Sequence, residues 1–289
     1  MQIKNMLRGA LLLLFSFLLM ACSKVFPPSP YDCENLPQTY KDLPESPRYV
    51  FIMWRANDVT AQQFEQSLFA DVTPQLKNYN SPNLRYWLAD ETIESMTLRE
   101  HPREDGARVA AVISIELEDN KAAELIAQQL RPFSGFVAGY KVNHSLPLNY
   151  TKTWGDGEVS PGVVSMSFFQ RKPGQSQKDF KDYWFCSHTP FALDIHPLWR
   201  YERNPVIEAV TKNAPAYNGI VPLHMQSEAG LEAFSQFFSA DGNNAIYNAL
   251  RIQNDVSNFI DLDKIEATAM REYVMTSPLS KESTEAENE

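Results

Sequence analysis

The sequence predicts an α+β protein in which two tandem β-α-β-β-α-β modules pack sheet to sheet as an intramolecular barrel. Three observations support this prediction: a strand–turn–helix pattern that occurs twice, alternating strands that follow each copy, and a composition suited to packed cores. Of the 289 residues, 44% are hydrophobic and 12% are aromatic. Such a chain buries large cores, which argues against extensive disorder.

The repeat is clearest at the start of each module. Tyr49 to Trp54 is an apolar strand candidate, and Thr60 with Gln63 forms a capping box before a helix with an apolar stripe. Adding 116 to these positions gives a second strand over Val163 to Phe169, then a turn, a cap and a second stripe. The identical pairs in this register are Arg55/Arg171, Phe64/Phe180, Phe69/Phe185, Thr73/Thr189 and Pro74/Pro190.

The later elements of each module follow at a slightly different offset. Leu84-Arg85-Tyr86 resembles Trp199-Arg200-Tyr201, which pairs Tyr86 with Tyr201 and places Leu88 opposite Arg203. The further strands are predicted over 109–117, 217–225, 136–142 and 267–275, and the further helices over 120–130 and about 227–238. Each half therefore has the ferredoxin-like order. A sheet with helices on one face leaves its other face apolar and uncovered, so the two copies are expected to cover each other.

The chain divides into six predicted segments. They are a lipoprotein signal peptide over 1–21, a Pro-rich stalk over 22–47, a degenerate ferredoxin-like domain over 48–150, a linker over 151–162, a second domain over 163–276 and an acidic disordered tail over 277–289. Because the barrel closes within one chain, a monomer is expected.

The N-terminus predicts an address in the cell envelope. Lys4 and Arg8 precede an uncharged run of twelve residues, about 18 Å as a helix and too short to span a bilayer. Leu19-Met20-Ala21-Cys22 resembles a bacterial lipobox, which implies lipidation of Cys22, and the following Ser23 implies the periplasmic face of the outer membrane. The alternative is an ordinary cleaved signal with an incidental cysteine. The prolines after it predict an extended stalk that holds the body away from the membrane.

Charge and the other cysteines set further limits. With 26 Lys and Arg against 36 Asp and Glu, the formal charge is −10, which disfavours a nucleic-acid partner. Cys33 lies in the stalk and Cys186 in the body. An oxidising compartment permits a bridge between them, but the sequence favours a reduced, buried Cys186, because spacing alone does not bring the two Cβ atoms together.

A series of motifs in the second module is more specific than its strand and helix pattern. It consists of Arg171-Lys172-Pro173-Gly174, Phe180, Tyr183-Trp184, His188, Pro190, Tyr201 and Asn204. The series resembles the EthD-type domain of the dimeric α+β barrel superfamily over about residues 163–275. This resemblance implies a small-molecule protein, since related barrels decarboxylate or cyclise polyketide-like aromatics without a cofactor. The first module is similar only in pattern.

His188 is the candidate catalytic residue. At 100° per residue it lies near Trp184 on a sheet-facing apolar stripe, and Pro190 predicts that the helix ends directly after it. An imidazole there suits a general acid or base that faces a hydrophobic ligand. The alternative is a buried histidine bonded to a carbonyl, or a helix C-cap. The first module has Val72 at this position, so the scaffold does not require histidine.

Four residues are candidate ligand contacts: Trp184, Tyr201, Asn204 and His224. Tyr201 has a counterpart in the first module, which favours a structural role for it, whereas the other three are particular to the second module. Asn204 and His224 lie on adjacent strand candidates. We expect them to orient either a ligand oxygen or the catalytic imidazole, with exposed edge positions as the alternative.

Three functions are consistent with these residues. In the first, the second half binds a small apolar or aromatic molecule, and His188 serves as acid–base in cofactor-independent lyase or isomerase chemistry or in an auxiliary oxidation step. In the second, the protein is a non-catalytic binding or assembly module of the envelope. In the third, His188 binds haem in a barrel with oxidoreductase activity, as the resemblance allows. No cofactor and no metal site are expected otherwise, since the chain has no Gly-rich phosphate loop and no paired-cysteine motif.

Overall fold

The computed structural model describes residues 29–36, 45–89 and 106–277. Its strands form one closed antiparallel barrel with the order β1-β3-β2-β8-β5-β7-β6-β4. The strands are β1 (Ser46–Trp54), β2 (Arg85–Leu88), β3 (Val109–Ile115), β4 (Phe136–Leu148), β5 (Val163–Phe169), β6 (Leu198–Ala209), β7 (Gly219–Met225) and β8 (Glu266–Val274). The α-helices are α1 (Ala61–Ser67), α2 (Thr73–Lys77), α3 (Asn120–Leu130), α4 (Gln177–Asp182), α5 (Thr189–Ile195), α6 (Ala229–Glu232), α7 (Phe234–Phe237) and α8 (Asn243–Val256).

The two halves of the barrel have the same topology. Strands β4-β1-β3-β2 form one sheet and β8-β5-β7-β6 form the other, both in the ferredoxin-like order. The edges of the two sheets pair with each other, β2 with β8 and β4 with β6. Closure gives every strand two neighbours, so no edge is left unpaired. The predicted intramolecular α+β barrel is therefore confirmed. The signal peptide, Cys22 and residues 278–289 of the tail lie outside the described residues.

The helices cover the outside of each sheet. In the first half, Thr60 and Gln63 form the predicted capping box at the start of α1, and apolar side chains of α1, α2 and α3 pack on β1 and β3. In the second half, the Ser176 side chain accepts from the backbone of Asp179 at the start of α4. Within the described residues, no helix has both the length and the apolarity that spanning a membrane requires.

The predicted helix over 227–238 is wrong. The segment contains two single-turn helices, α6 and α7, separated by Ala233 in an extended conformation. The long helix in this region is α8, whose buried stripe of Ala245, Ala249 and Ile252 covers the body instead. The sequence indicated an elaboration here but not that it would replace the predicted helix.

The barrel interior divides into an apolar part and a polar end. Apolar side chains from strands of both halves fill most of it, among them Trp54, Trp87, Val112, Met166, Phe168 and Met270. Towards the end where β1 and β5 begin, the interior side chains are polar and buried: Arg48, Arg85, Ser114, His144, Arg200, Glu202, Asn204, His224 and Glu272. Asn149 and Tyr150, which lie directly before the predicted linker, contribute to the polar contacts at this end.

Ion pairs stabilise the charges of this polar end. Glu272 accepts from Arg85 at 3.0 Å and from the Tyr150 hydroxyl at 2.5 Å. Glu202 accepts from the Nε of Arg200 at 2.8 Å. Burial raises the pKa of Glu202, but Arg200 and other cations outweigh burial and lower that pKa to about 2. The carboxylates are therefore charged at neutral pH and hold the buried guanidinium groups.

The pairing of the strands corrects one alignment made from the sequence. When β5 of the second half is aligned with β1 of the first, and β7 with β3, Val221 takes the position that Ile113 has in the first half. Ile113 lies opposite Tyr86, whereas the β6–β7 register puts Arg203 opposite Val221. Arg203, and not Tyr201, is therefore the structural counterpart of Tyr86. The alignment is wrong by two residues because a two-residue shift leaves each side chain on the same face of its strand and preserves the hydrophobic pattern.

The N-terminal segment over residues 29–36 is docked on the second half, not extended as a stalk. Cys33 forms a disulfide with Cys186, so the expectation of a reduced Cys186 is wrong. Ser187 donates its hydroxyl to the carbonyl of Tyr31 at 2.6 Å and accepts at its own carbonyl from the Ser29 hydroxyl at 2.9 Å. These polar contacts and the covalent bond offset the conformational entropy that favours an extended Pro-rich chain.

Candidate functional site

The helix that carries His188 continues past Pro190. Residues Tyr183–His188 form a π-helical turn between α4 and α5. Thr189 donates its hydroxyl to the carbonyl of Trp184 at 2.8 Å, and Pro190 stands in the first turn of α5, where its missing N–H costs no hydrogen bond. The expectation that Pro190 ends the helix is therefore wrong, and His188 does not lie at a helix C-terminus.

The same turn occurs in the first half. Residues Leu68–Val72 are π-helical, and Thr73 donates its hydroxyl to the carbonyl of Leu68 at 3.0 Å. The Thr-Pro pair is thus the local cause of both π-helical turns, because its hydroxyl bonds a carbonyl five residues back where proline supplies no N–H. The widened turn sets the direction of the His188 imidazole, the last side chain of the segment Tyr183–His188.

His188 forms a pair with a buried carboxylate. Its Nδ1 lies 2.6 Å from Oδ2 of Asp255, on α8, and the Asp255 side chain is 0% exposed. The Tyr183 hydroxyl donates to the other oxygen of Asp255 at 2.9 Å. Burial and the nearby Asp255 raise the pKa of Tyr183, which therefore stays a neutral donor. Since a carboxylate accepts hydrogen bonds, Asp255 orients the ring with its proton on Nδ1.

The other edge of the imidazole is open. The His188 side chain is 14% exposed, and within the described part of the chain no residue forms a hydrogen bond with its Nε2. The ring of Phe259 lies 4.9 Å from the imidazole and provides an apolar wall. A neutral Nε2 beside an apolar wall can accept a proton from a ligand, and the imidazolium so formed is stabilised by Asp255.

Two of the predicted ligand contacts share this layer with His188. Trp184 donates its indole N–H to the Tyr201 hydroxyl at 3.0 Å, and both side chains are almost fully buried. The Trp184 and Phe259 rings stack at 6.4 Å. Trp184 and Tyr201 therefore form part of the packed floor beneath the His188 imidazole and make no hydrogen bond to it.

The other two predicted contacts lie on the opposite face of the sheet. The Oδ1 of Asn204 accepts from the Nδ1 of His144 at 2.9 Å inside the barrel. His224 donates from Nε2 to the carbonyl of Pro161 at 2.8 Å, also inside the barrel. The expectation that Asn204 and His224 orient the catalytic imidazole is wrong, because side chains of even-numbered positions on β6 and β7 point into the barrel, whereas His188 packs on its outside.

Two residues of this layer were missed from the sequence. Asp255 interrupts the buried stripe of α8 three residues after Ile252, and an acid on such a stripe signals a buried partner. Arg203 is fully buried and lies over the ring of Phe185 at 3.6 Å. The alignment of the two modules places Arg203 opposite a nonpolar residue of the first module, which marked Arg203 as unusual. The alignment did not indicate that Arg203 faces the helices.

The residues around His188 do not fit a haem. Phe169, Phe180, Trp184 and Phe259 pack against one another with ring centroids 5.2 to 6.4 Å apart, so their rings occupy the layer that a macrocycle would need. Among residues 29–36, 45–89 and 106–277, no group of three or more His, Cys, Asp and Glu side chains is arranged to hold a metal ion.

A separate cleft of about 510 Å³ lies on the first half. It is lined by residues 78–82, 116–118 and 122, none of which contacts His188 or Asp255. Its lining has no titratable group besides Glu116, Glu118 and Tyr79. We therefore place the candidate site in the second half.

The fold and the site together define an intramolecular α+β barrel with a His–Asp pair on one half. Residues 172–263 match the family model described as the EthD domain. This part of the second half is therefore similar to the EthD domain, and the matched residues include both His188 and Asp255. No curated protein matches the chain.

Solved structures resemble the chain over most of its length. An anthrone oxidase-like protein has 9% identity and a TM-score of 0.48, covering 81% of this chain and 95% of its own. A candidate monooxygenase from Lactobacillus acidophilus NCFM has 7% identity and a TM-score of 0.45, covering 80% and 98%. A candidate chlorite dismutase has 9% identity and a TM-score of 0.38, covering 79% and 95%. At these values the likenesses specify neither a ligand nor a reaction for this chain.

Proposed function

We propose that this protein binds a small apolar or aromatic molecule at the outer face of its EthD half and that His188 transfers a proton to or from it. The observation that carries this proposal is the 2.6 Å contact between His188 Nδ1 and the fully buried Asp255 carboxylate. A surface histidine needs no such partner, and the first half builds the same turn with Val72. The pair therefore supports a role beyond the scaffold.

The reaction class follows from the geometry of the pair. With Nδ1–H donated to Asp255, Nε2 accepts a proton from an acidic C–H or O–H of the ligand, and the Asp255 carboxylate stabilises the imidazolium. Return of that proton to a second position completes an isomerisation, and its return after loss of a leaving group completes a lyase reaction. Neither step needs a cofactor. In an auxiliary oxidation step, His188 would only remove the proton, and a separate acceptor would take the electrons.

We expect His188→Gln and Asp255→Asn to lower kcat/KM by about 10²- to 10⁴-fold for the compound that the wild type processes. Glutamine removes the titrating group, and asparagine no longer fixes the proton on Nδ1. The measurement is turnover across a panel of small apolar and aromatic compounds, after thermal-shift selection of those that bind. His196→Asn is the matched control, because His196 bonds the carbonyl of Phe237 and not Asp255. If both site variants keep wild-type turnover and affinity, the proposed role is wrong.

A non-catalytic envelope module is the second candidate. The observation that favours it is the docked N-terminal segment, which is joined to the π-helical turn through Cys186 and Ser187, directly before His188. A segment docked so close to the imidazole is consistent with a surface that binds a partner and does not catalyse a reaction. In that case the wild type processes no compound of the panel, and His188→Gln changes no measured affinity.

The lipid anchor is part of the same proposal. The lipobox at Leu19 to Cys22 supports acylation of Cys22, and the segment that follows is fixed to the body through Cys33. A body docked this closely would sit near the membrane and not at the end of an extended stalk.

We expect Cys22→Ala to abolish incorporation of labelled fatty acid and to move the protein from the outer-membrane fraction to the soluble periplasmic fraction, because a single cleaved signal leaves no anchor. The measurement is metabolic labelling with density-gradient fractionation. Cys33→Ala is the matched control and should keep both the label and the membrane location. Unchanged labelling in Cys22→Ala would contradict the anchor.

A further inference from the structure

Arg203 is a buried cation in the helix-facing layer of the EthD half. Its Nε donates to the Ser145 hydroxyl at 3.0 Å, and its Nη1 lies 3.5 Å from the Thr189 hydroxyl. Its Nη2 forms no hydrogen bond with any residue that the structure describes. The ring of Phe185 covers the guanidinium at 3.6 Å. Hydroxyl groups and a ring thus surround a full positive charge.

The other buried arginines of the described chain contact carboxylates. Arg85 bonds Glu272 at 3.0 Å, Arg48 bonds Glu116 at 2.7 Å, and Arg200 bonds Glu202. A buried charge without a counter-ion costs several kcal/mol. Burial lowers the pKa of Arg203 to about 10, so the side chain stays charged at neutral pH. Among the ion pairs of the described residues none includes Arg203; the nearest carboxylate influence comes from Glu45, which raises the pKa of Arg203 but is itself paired with Lys181 at 2.7 Å.

The scaffold does not need this charge. The counterpart of Arg203 in the first half is Tyr86, a neutral side chain that is also fully buried. Thr73 and Thr189, which lie next to Tyr86 and Arg203 respectively, are counterparts as well. The same position in the same fold is therefore occupied without a cation. A residue that lowers stability and has a neutral alternative in its own chain indicates a ligand.

We propose that Arg203 anchors the acidic group of the ligand, which is a small aromatic or otherwise apolar organic acid. This inference rests on the proposed function and names its substrate class. The free Nη2 and the weakly bonded Nη1 supply two parallel donors, which match the two oxygens of a carboxylate. The Phe185 ring and the Trp184 indole, 5.7 Å apart, offer aromatic surface to the apolar body.

The path to Arg203 passes Phe185. The ring is nearly buried, and two cations lie over it, Arg203 at 3.6 Å and Lys181 at 5.1 Å from its centroid. Lys181 is itself half exposed and paired with Glu45 at 2.7 Å. A rotation of Phe185 about χ1 would open the subsite beside Lys181, whose charge would attract the incoming anion.

The test compares acids with their neutral amides. The probes are 1-naphthoate and 1-naphthamide, with binding to the full-length protein followed by tryptophan fluorescence and calorimetry. We expect the wild type to prefer the carboxylate by about 10- to 100-fold, as hydrogen bonds to charged groups imply. Arg203→Met should remove this preference, and Arg203→Lys should retain part of it. Arg131→Met, which changes an exposed arginine of the first half, is the matched control and should behave as wild type.

Stability of the unliganded protein gives a second readout. If Arg203 serves a ligand, Arg203→Met and Arg203→Tyr should unfold at the same or a higher temperature than wild type, because an unpaired buried charge is removed. If Arg203 is structural, both variants should unfold at a lower temperature. The inference is overturned if the wild type shows no carboxylate preference, if Arg203→Met keeps that preference, or if both variants are destabilised.

The outcome is separable from that of the proposed function. One outcome is that His188→Gln loses turnover while the wild type shows no preference for the carboxylate. This outcome would support proton transfer by the His–Asp pair and refute the acid subsite. A carboxylate preference that depends on Arg203, together with unchanged turnover in His188→Gln, would support an acid-binding module and refute proton transfer by His188.

Discussion

Replacing Glu272 with glutamine is expected to destabilise the protein by about 3–5 kcal/mol at neutral pH. The Glu272 carboxylate bonds Arg85 at 3.0 Å and Tyr150 at 2.5 Å inside the barrel, and Arg200 lies 3.9 Å away. Glutamine leaves these two guanidinium groups with one fewer counter-charge in a place that water does not reach. The start of the linker should also loosen, since Tyr150, the residue directly before it, bonds Glu272.

The effect should depend on pH with a defined sign. Burial raises the pKa of Glu272, but His224 and the Arg85 and Arg200 guanidinium groups outweigh burial and hold that pKa far below its usual range. For a carboxyl group whose pKa is lower in the folded state, the stabilisation is present above the unfolded value of about 4.5 and is lost as the pH falls below it. The difference between wild type and Glu272→Gln should therefore be largest near pH 7 and should shrink between about pH 4.5 and 2.

The measurement is urea-induced unfolding of both proteins at several pH values. Glu124→Gln is the matched control, because Glu124 is exposed on α3, and its unfolding free energy should stay within about 0.5 kcal/mol of wild type. A Glu272→Gln protein as stable as the control would show that the polar end of the barrel is not held together by its ion pairs.

Removing the disulfide is the second change with a large expected effect. The double variant Cys33→Ala/Cys186→Ala should lose about 2–5 kcal/mol of unfolding free energy, because the bond joins residues 153 apart in sequence and so restricts the unfolded chain. Residues 29–36 should also exchange their amide hydrogens faster, since the segment is otherwise held only by a few hydrogen bonds and by the apolar contacts of Tyr31 and Leu36.

The comparison is made by unfolding with and without a thiol reductant, together with hydrogen exchange. Reductant should lower the stability of wild type to that of the double variant, and the double variant itself should not respond. Equal midpoints for oxidised wild type and double variant would mean that the bond adds nothing to the fold. Unchanged exchange over 29–36 would mean that this segment docks without it.

Much of the fold could be predicted because its pattern is local and repeated. The capping box at Thr60, the strand over Val163–Phe169 and the helix over Asn120–Leu130 all lie where the sequence places them. Each depends on residues within a few positions of one another. The prediction of a closed barrel then followed from one physical requirement, that two sheets with an uncovered apolar face must cover each other.

The predictions that were wrong depend on contacts between distant residues. The helix past Pro190 is the exception, because it depends on a local contact between the Thr189 hydroxyl and the Trp184 carbonyl that the apolar pattern does not reveal. The two-residue shift that matches Arg203 to Tyr86 preserves the hydrophobic pattern, so only strand pairing reveals it. Cys33 and Cys186 are brought together by the docking of a segment whose composition predicts extension.

The candidate site shows the same division. His188 was found from the sequence because the repeat shows that its position does not require histidine. Asp255 lies 67 residues later on α8, which has no counterpart in the described part of the first half, so a comparison within the chain did not pair the two. Asn204 and His224 were assigned to the site because they lie on neighbouring strands, but the pleat of those strands points them into the barrel.

The sequence by itself determined the duplicated β-α-β-β-α-β order, the repeated Thr-Pro pair and the identity of the histidine, because periodicity, caps and repeats are properties of nearby residues. Only the tertiary structure decided which face of the sheet each side chain occupies, that Asp255 meets His188, and that Arg203 is buried without a carboxylate. These depend on strand register and on helix docking, which are set by the burial of whole surfaces and not by any local pattern.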